Sequence, residues 1–190
     1  MNSLADGYVS PEDYLARERL AETKSEYFDG QVLAMSGGTP QHALIPANIG
    51  ALLWPQLRKG NCRVYNSDLR VATPNGRRFL YPDLTVVCGS LAFHDHHRDT
   101  VTNPKVVFEV LSKSIIGYDC EPKFLAYQAI PSLQEYVSVH QHEPLIEHYV
   151  RNNNETWTYR KLEGLEAVLQ LPTIVCSLPL GEVYLSVFQA

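Results

Sequence analysis

Val106-Val107-Phe108-Glu109-Val110-Leu111-Ser112 sets one glutamate in an otherwise apolar run. The run reads as a strand buried on both faces, and its placement decides the rest of the fold. An ionised carboxylate taken out of water without a partner costs several kcal/mol, so Glu109 has to be paired, protonated or bound to a metal ion. Upstream, Tyr81-Pro82-Asp83-Leu84-Thr85-Val86-Val87-Cys88-Gly89 reads as a second strand, with Pro82 at its start where a missing N–H is tolerated. Strand alternation puts Val107, Glu109 and Leu111 on one face, and Tyr81, Asp83, Thr85 and Val87 on one face of theirs. As neighbours, the strands would bring Asp83 and Glu109 side by side, where two carboxylates repel until a proton or a cation relieves them. Carboxylate and water oxygens are the ligands that Mg²⁺ or Mn²⁺ takes. Lys123, at the start of the following helix, can reach back over the sheet edge. There its ammonium would orient a nucleophile and stabilise charge on a scissile phosphate. Simpler readings stand beside this one: Asp83 as a turn cap after a proline, and Glu109 with Lys123 as a buried ion pair.

The 190 residues suit one domain spanning the whole chain, 1–190, with a core of its own. Apolar residues make up 45% and charged ones 19%, the balance of a folded soluble protein. No apolar run approaches the ~18 residues that span a bilayer. The opening MNSLADGYVSPEDYL lacks the apolar block of a signal peptide, so a cytoplasmic protein is expected. Cys62, Cys88, Cys120 and Cys176 are widely spaced without a C-x-x-C pair, and reduced thiols are expected. A net charge of -5 argues against an unassisted, non-specific nucleic-acid binder, whose affinity rests on neutralising phosphates.

Along the chain, SPEDYLARERLAET reads as an opening helix capped by Ser10, and SEYFDGQVLAM as a hairpin turning at Asp29-Gly30. GGTPQH leads into a second helix ending near Gly60, with Ile45, Ile49, Leu52, Leu53 and Leu57 as its stripe. Pro46 and Pro55 inside it predict kinks or shifted boundaries. CRVYNSDLRVAT reads as one strand, NGRRF as a turn and SLAFHDHHRDTVTN as a loop. YDCEPKFLAYQAI reads as a short helix with Asp119 as its cap. LQEYVSVHQ, LIEHYVR and TWTYRKL read as strands, and the apolar tail LPLGEVYL closes over the core. This order predicts a mixed α/β (α+β) domain built on one main sheet.

The stretches YPDLTVV, VFEVLSKSIIGYD, KFLAYQAIPSLQEYVSV and IEHYVR, with KSEYFDGQVLAMSGGTPQH near the start, resemble the Uma-two family of restriction-endonuclease-like proteins, within the PD-(D/E)XK nuclease superfamily. The resemblance runs from about Pro11 to the C-terminus. It implies a restriction-endonuclease-like core, a central mixed sheet flanked by helices, and cleavage of DNA phosphodiesters with Mg²⁺ or a similar ion. Pro82-Asp83 matches the PD element and Glu109 the acidic element, which makes both metal ligands. The superfamily's usual lysine would fall at Leu111; the resemblance assigns its ammonium to Lys123. Glu26 matches an acidic residue near the metal, with a solvent-exposed strand-end glutamate as the plain alternative. His42 matches a histidine after the loop, with a helix-start histidine as the plain alternative. Tyr127, one turn after Lys123, is weakly similar to the Q-x-x-x-Y helix of other nucleases in the superfamily, and otherwise reads as core.

Elsewhere, His94, Asp95, His96 and His97 read as an exposed loop, because they lack the i, i+4 helical spacing of a metallopeptidase site. No Walker loop, G-x-S-x-G or dinucleotide fingerprint is present. Arg70, Arg77, Arg78, Lys105 and Lys113 flank the acidic pair in sequence and either contact phosphates or are scattered surface charge. Two functions follow. The first is a Mg²⁺-dependent DNA endonuclease using Asp83, Glu109, Lys123, Glu26 and His42, with weak, salt-dependent DNA affinity unless a partner helps and no membrane role; a homodimer would suit two-strand cleavage. The second is a catalytically degenerate nuclease fold that binds nucleic acid or a protein partner, motivated by Leu111 and the acidic charge.

Overall fold

The computed structural model describes residues 7–111, 120–154 and 156–188. Ser10 accepts a hydrogen bond from the Asp13 amide and caps α1 (Pro11–Glu18), whose first turn carries Glu12 and Asp13 against the positive end of the helix dipole. The hairpin of β1 (Ser25–Phe28) and β2 (Gln31–Ala34) turns through Asp29 and Gly30, both at positive φ. A Cβ on Gly30 would lie 2.2 Å from the Tyr8 ring, so glycine is needed there for space as well as conformation.

α2 (Pro40–Leu57) follows, then β3 (Cys62–Asn66), β4 (Arg70–Ala72), β5 (Arg78–Leu80), β6 (Leu84–Cys88), β7 (Thr100–Val101) and β8 (Val106–Leu111). α3 (Cys120–Gln128), β9 (Glu135–His140), β10 (Leu145–Arg151), β11 (Trp157–Glu163), β12 (Val168–Leu171), β13 (Cys176–Pro179) and α4 (Leu180–Val183) come next, and a short 3-10 turn (Pro74–Gly76) joins β4 to β5. A six-stranded sheet has the order β11-β10-β9-β8-β6-β3, with β8 and β9 parallel and its other pairs antiparallel. A five-stranded sheet has the order β2-β1-β5-β4-β7, and β12 pairs with β13 as a hairpin.

β8 lies inside the larger sheet, and both its faces are covered, as its apolar run requires. Phe108 and Val110 pack with Ile45, Ile49 and Leu53 of α2 and with Leu169, Leu171 and Leu178 of the β12–β13 hairpin. Val107 packs on the opposite face with Ala126 and Tyr127 of α3 and with Val71 and Leu80 of the five-stranded sheet. Each such side chain contributes ~1.5–3 kcal/mol on burial. Glu109, two residues from Val107, therefore faces α3 and the second sheet rather than α2.

Several expectations change. One main sheet becomes two sheets and a hairpin. The single strand expected over CRVYNSDLRVAT divides into β3 and β4, one in each sheet, because a turn with an Asn66–Asp68 side-chain clasp breaks it. The loop through His94 contains β7 and a bridge from Phe93 to Val101. α2 runs unbroken past Pro46 and Pro55: both sit off the buried stripe of Ile45, Ile49, Leu53 and Leu57, which holds the helix to the sheet on either side of each proline. Reduced thiols are not what Cys62 and Cys88 show. They face each other across β3 and β6 and form a disulfide, 26 residues apart in sequence, whereas Cys176 is free and buried. Asp119, Lys113 and the expected helix cap lie outside the described residues.

Candidate active site

Antiparallel β6 and β8 pair Leu84 with Phe108, so continuing the register by one residue sets Asp83 opposite Glu109. The Val110 amide donates to Asp83 Oδ2 at 2.7 Å, fixing that carboxylate against the glutamate's strand. From α3, Lys123 Nζ reaches Glu109 Oε2 at 3.3 Å, and one turn on the Tyr127 hydroxyl donates to Glu109 Oε1 at 2.7 Å. The i, i+4 spacing on α3 is what lets both side chains meet one carboxylate. From β1 in the other sheet, Glu26 Oε1 accepts from Lys123 Nζ at 2.9 Å and from the Tyr81 amide at 3.2 Å. His42, in the first turn of α2, brings Nε2 to 3.7 Å from Asp83 Oδ2. All five residues singled out in the sequence thus converge from five parts of the chain. Glu26 is 1% exposed, which removes the solvent-exposed alternative, and the Glu109–Lys123 ion pair exists but is shared with Glu26.

The electrostatics are unbalanced. Three acidic residues crowd around one lysine. Burial pushes the Asp83 carboxyl up to about 6, against the Val110 hydrogen bond and Lys123 that favour its charge. Burial pushes Glu109 up to about 7; Lys123 works against this more strongly than either Asp83 or Glu26 adds to it. Burial works against the Lys123 charge, yet Glu109 and Glu26 outweigh it and hold the amine well above the ordinary lysine range. Burial lowers His42 below its usual value and raises the Tyr127 phenol well above its own.

The donor set fits a hard divalent ion. Asp83 and Glu109 offer oxygens only, and their raised values mark a place where added positive charge is favoured. Among the described residues no group of three or more His, Cys, Asp or Glu side chains is arranged to hold a metal ion. Two carboxylates completed by water or substrate oxygens is nevertheless the way Mg²⁺ is commonly held.

Other sequence candidates lie elsewhere. Arg70 is buried among Thr100, Tyr81 and Asp99 rather than presented to a phosphate. Arg77 and Arg78 both pair with Asp29. In the histidine-rich loop, Asp95 is held by Arg19, and His94 packs its ring edge-on to Phe79. Leu111, at the superfamily's lysine position, is a buried apolar side chain at the end of β8. Two groups escaped the sequence. Thr39 and Gln141 hydrogen-bond beside His42, and the GGTPQH loop was the one signal pointing to them. A cluster of buried Glu135 and His148 with half-buried Thr173 had none.

Two sheets with helices on the larger one, and an acidic strand pair facing a helix lysine, define a restriction-endonuclease-like protein. A chain solved as "a putative nuclease belonging to DUF820" from Anabaena variabilis ATCC 29413 has the same fold, with a TM-score of 0.74 at 14% identity over 95% of this chain and 99% of that one. The protein belongs to the Uma2 family, described as "Putative restriction endonuclease", which matches residues 11–181. Two Synechocystis sp. relatives (strain ATCC 27184 / PCC 6803 / Kazusa), the uncharacterized proteins slr1290 and sll1609, agree along most of their length. The first is 34% identical over 93% of this chain and 91% of its own, the second 32% identical over 83% and 89%. Among the described residues no helix is long and apolar enough to cross a membrane.

Proposed function

We propose that the protein is a divalent-metal-dependent endonuclease that hydrolyses DNA phosphodiester bonds. The observation that carries the reading is the excess of acid at one buried point, with Asp83 opposite Glu109 and a single lysine shared between Glu109 and Glu26. Asp83 and Glu109 are the residues that would hold Mg²⁺ or Mn²⁺. When bound, such an ion supplies Lewis-acid polarisation of a phosphoryl oxygen and charge relief for the two carboxylates.

The remaining work falls to the chain's own groups. Lys123, kept protonated by its two glutamates, has one N–H beyond those it gives them, and it donates that to the attacking water or to a phosphoryl oxygen as negative charge builds there. Glu26 holds the amine at the mouth of the pair, and Tyr127 fixes Glu109 Oε1 so that Oε2 faces the amine. His42 lies beside Asp83, within 3.7 Å of its Oδ2. Water forms the new bond to phosphorus and loses a proton to solvent as the bond to the leaving ester oxygen breaks and that oxygen takes up a proton. The net charge of -5 supports weak, salt-dependent DNA binding, and a homodimer would present one site to each strand.

The test is nicking of plasmid DNA with Mg²⁺ or Mn²⁺ by wild type, Asp83→Ala and Glu109→Gln. Cleavage by the wild type alone is expected; equal activity in all three removes the mechanism. The shared lysine also favours a second reading, in which Glu26–Lys123–Glu109 is a permanent ion pair and the fold only binds nucleic acid or a protein. DNA binding without any Mn²⁺ affinity would select it.

A further inference from the structure

The far side of the acidic pair is closed by a circuit of polar contacts that begins and ends on β8. The Gln141 amide, just past β9, donates to the Leu111 carbonyl of β8 at 3.2 Å. Gln141 Oε1 accepts from the Thr39 hydroxyl at 2.9 Å. The same Thr39 oxygen, as cap of α2, accepts from the His42 amide at 3.1 Å. His42 Nε2 stands 3.7 Å from Asp83 Oδ2, and that oxygen accepts from Val110 of β8 at 2.7 Å. An exposed threonine cap ordinarily gives its hydroxyl proton to water. Here the acceptor is a glutamine only 2% exposed, tied by its backbone two residues beyond Glu109. A donor that also accepts is strengthened in both bonds, so the cap is stiffer than either contact alone.

Space is reserved at the same point. A Cβ on Gly38 would come within 3.0 Å of His42 Nδ1 and 3.3 Å of its Cβ, so a glycine in the preceding loop lets the ring lie where it does. Gly38 leaves room for the ring, Thr39 holds the His42 backbone, and Gln141 holds Thr39.

We propose that Thr39 and Gln141 are positioning residues that act through His42. They lock the first turn of α2 to the Glu109 strand and so hold the imidazole beside the Asp83 carboxylate, which the Val110 amide fixes opposite Glu109. The contribution to catalysis rests on the nuclease reading above; the contribution to ring position does not. Gln141→Leu removes the acceptor and leaves the cap bond in place. Thr39→Val removes both bonds, Thr39→Ser keeps both, and Gly38→Ala pushes on the ring directly.

The experiment measures His42 ring ¹⁵N and ¹H resonances, together with plasmid nicking resolved into kcat and KM, in the full chain. In Gln141→Leu, Thr39→Val and Gly38→Ala the ring resonances move and kcat falls about tenfold, with KM and melting temperature near wild type for Gln141→Leu, while Thr39→Ser matches wild type. Unmoved ring resonances in Gln141→Leu and Thr39→Val, or a Thr39→Ser as impaired as Thr39→Val, overturn the proposal. Shifted resonances in a chain whose wild type nicks no DNA would uphold the positioning role and defeat the nuclease reading instead.

Discussion

Glu109 and Glu135 are both buried glutamates on adjacent parallel strands of one sheet, and they are satisfied in opposite ways. Glu135 Oε2 meets His148 Nε2 at 2.6 Å, and its Oε1 accepts from the Thr173 amide at 2.8 Å and from the Thr173 hydroxyl. One acid faces one imidazole, with neither residue more than 1% exposed. Around Glu109, one lysine is shared by two glutamates with Asp83 opposite, and burial pushes the Asp83 and Glu109 carboxyls up to about 6 and about 7. The Glu135 cluster is closed on itself and ties β9 and β10 to the segment ahead of β13. The Glu109 cluster gathers three acids near one ammonium, and under the proposed function a cation would complete it. Burial is the largest cause of the raised Asp83 and Glu109 values and neighbouring carboxylates add to it, and that combination is what singles out a candidate site.

Breaking each cluster should therefore fail differently. The largest effect is expected for Glu109→Gln or Asp83→Ala: DNA cleavage falls on the order of 10²–10³-fold or more, with melting temperature little changed in the isosteric Glu109→Gln, checked by nicking assays and calorimetry. Glu135→Ala leaves His148 and the Thr173 amide without their partner, and should cost about 3–5 kcal/mol in denaturant unfolding while cleavage per folded molecule stays at wild type. Reversal of these two outcomes would erase the distinction between the clusters.

A smaller effect sharpens it through pH. The folded values of Asp83 and Glu109 lie above their ordinary 3.8 and 4.5. Their contribution to stability is thus fully present below about pH 4 and is lost as pH rises through about 6 to 7. Without divalent ions the melting temperature should fall across that window on their account, and saturating Mg²⁺ should cancel the fall. Tyr127→Phe is the mildest, with about a tenfold loss of cleavage or less, because Glu109 keeps its lysine and loses one orienting hydrogen bond.

How much of this could be read from the chain follows from the range of each signal. Asp83, Glu109 and Lys123 were legible because strand alternation and helix position are local, and the family resemblance added Glu26 and His42. The second sheet was not legible: the break between β3 and β4 depends on a short side-chain clasp, and nothing local says that the two halves join different sheets. Cys62 and Cys88 become opposed only once β3 and β6 pair across the intervening β4 and β5, so their spacing carried no sign of a bond. Glu135 and His148 are diagonal rather than facing neighbours, since Glu135 pairs with Val150 and His148 with Val137, and Thr173 arrives from a different hairpin. Gln141 and Thr39 meet across 102 residues, a contact that only the packed helix creates.

The most direct measurement is calorimetric titration of Mn²⁺ into wild type, Glu109→Gln and Glu135→Ala at pH 6 and pH 8. Binding should be strong at pH 8, weaker at pH 6 where protons compete for the same carboxylates, absent in Glu109→Gln and unchanged in folded Glu135→Ala. Equal binding by wild type and Glu109→Gln, or no binding by wild type at either pH, would contradict an acidic cluster built to take a divalent cation.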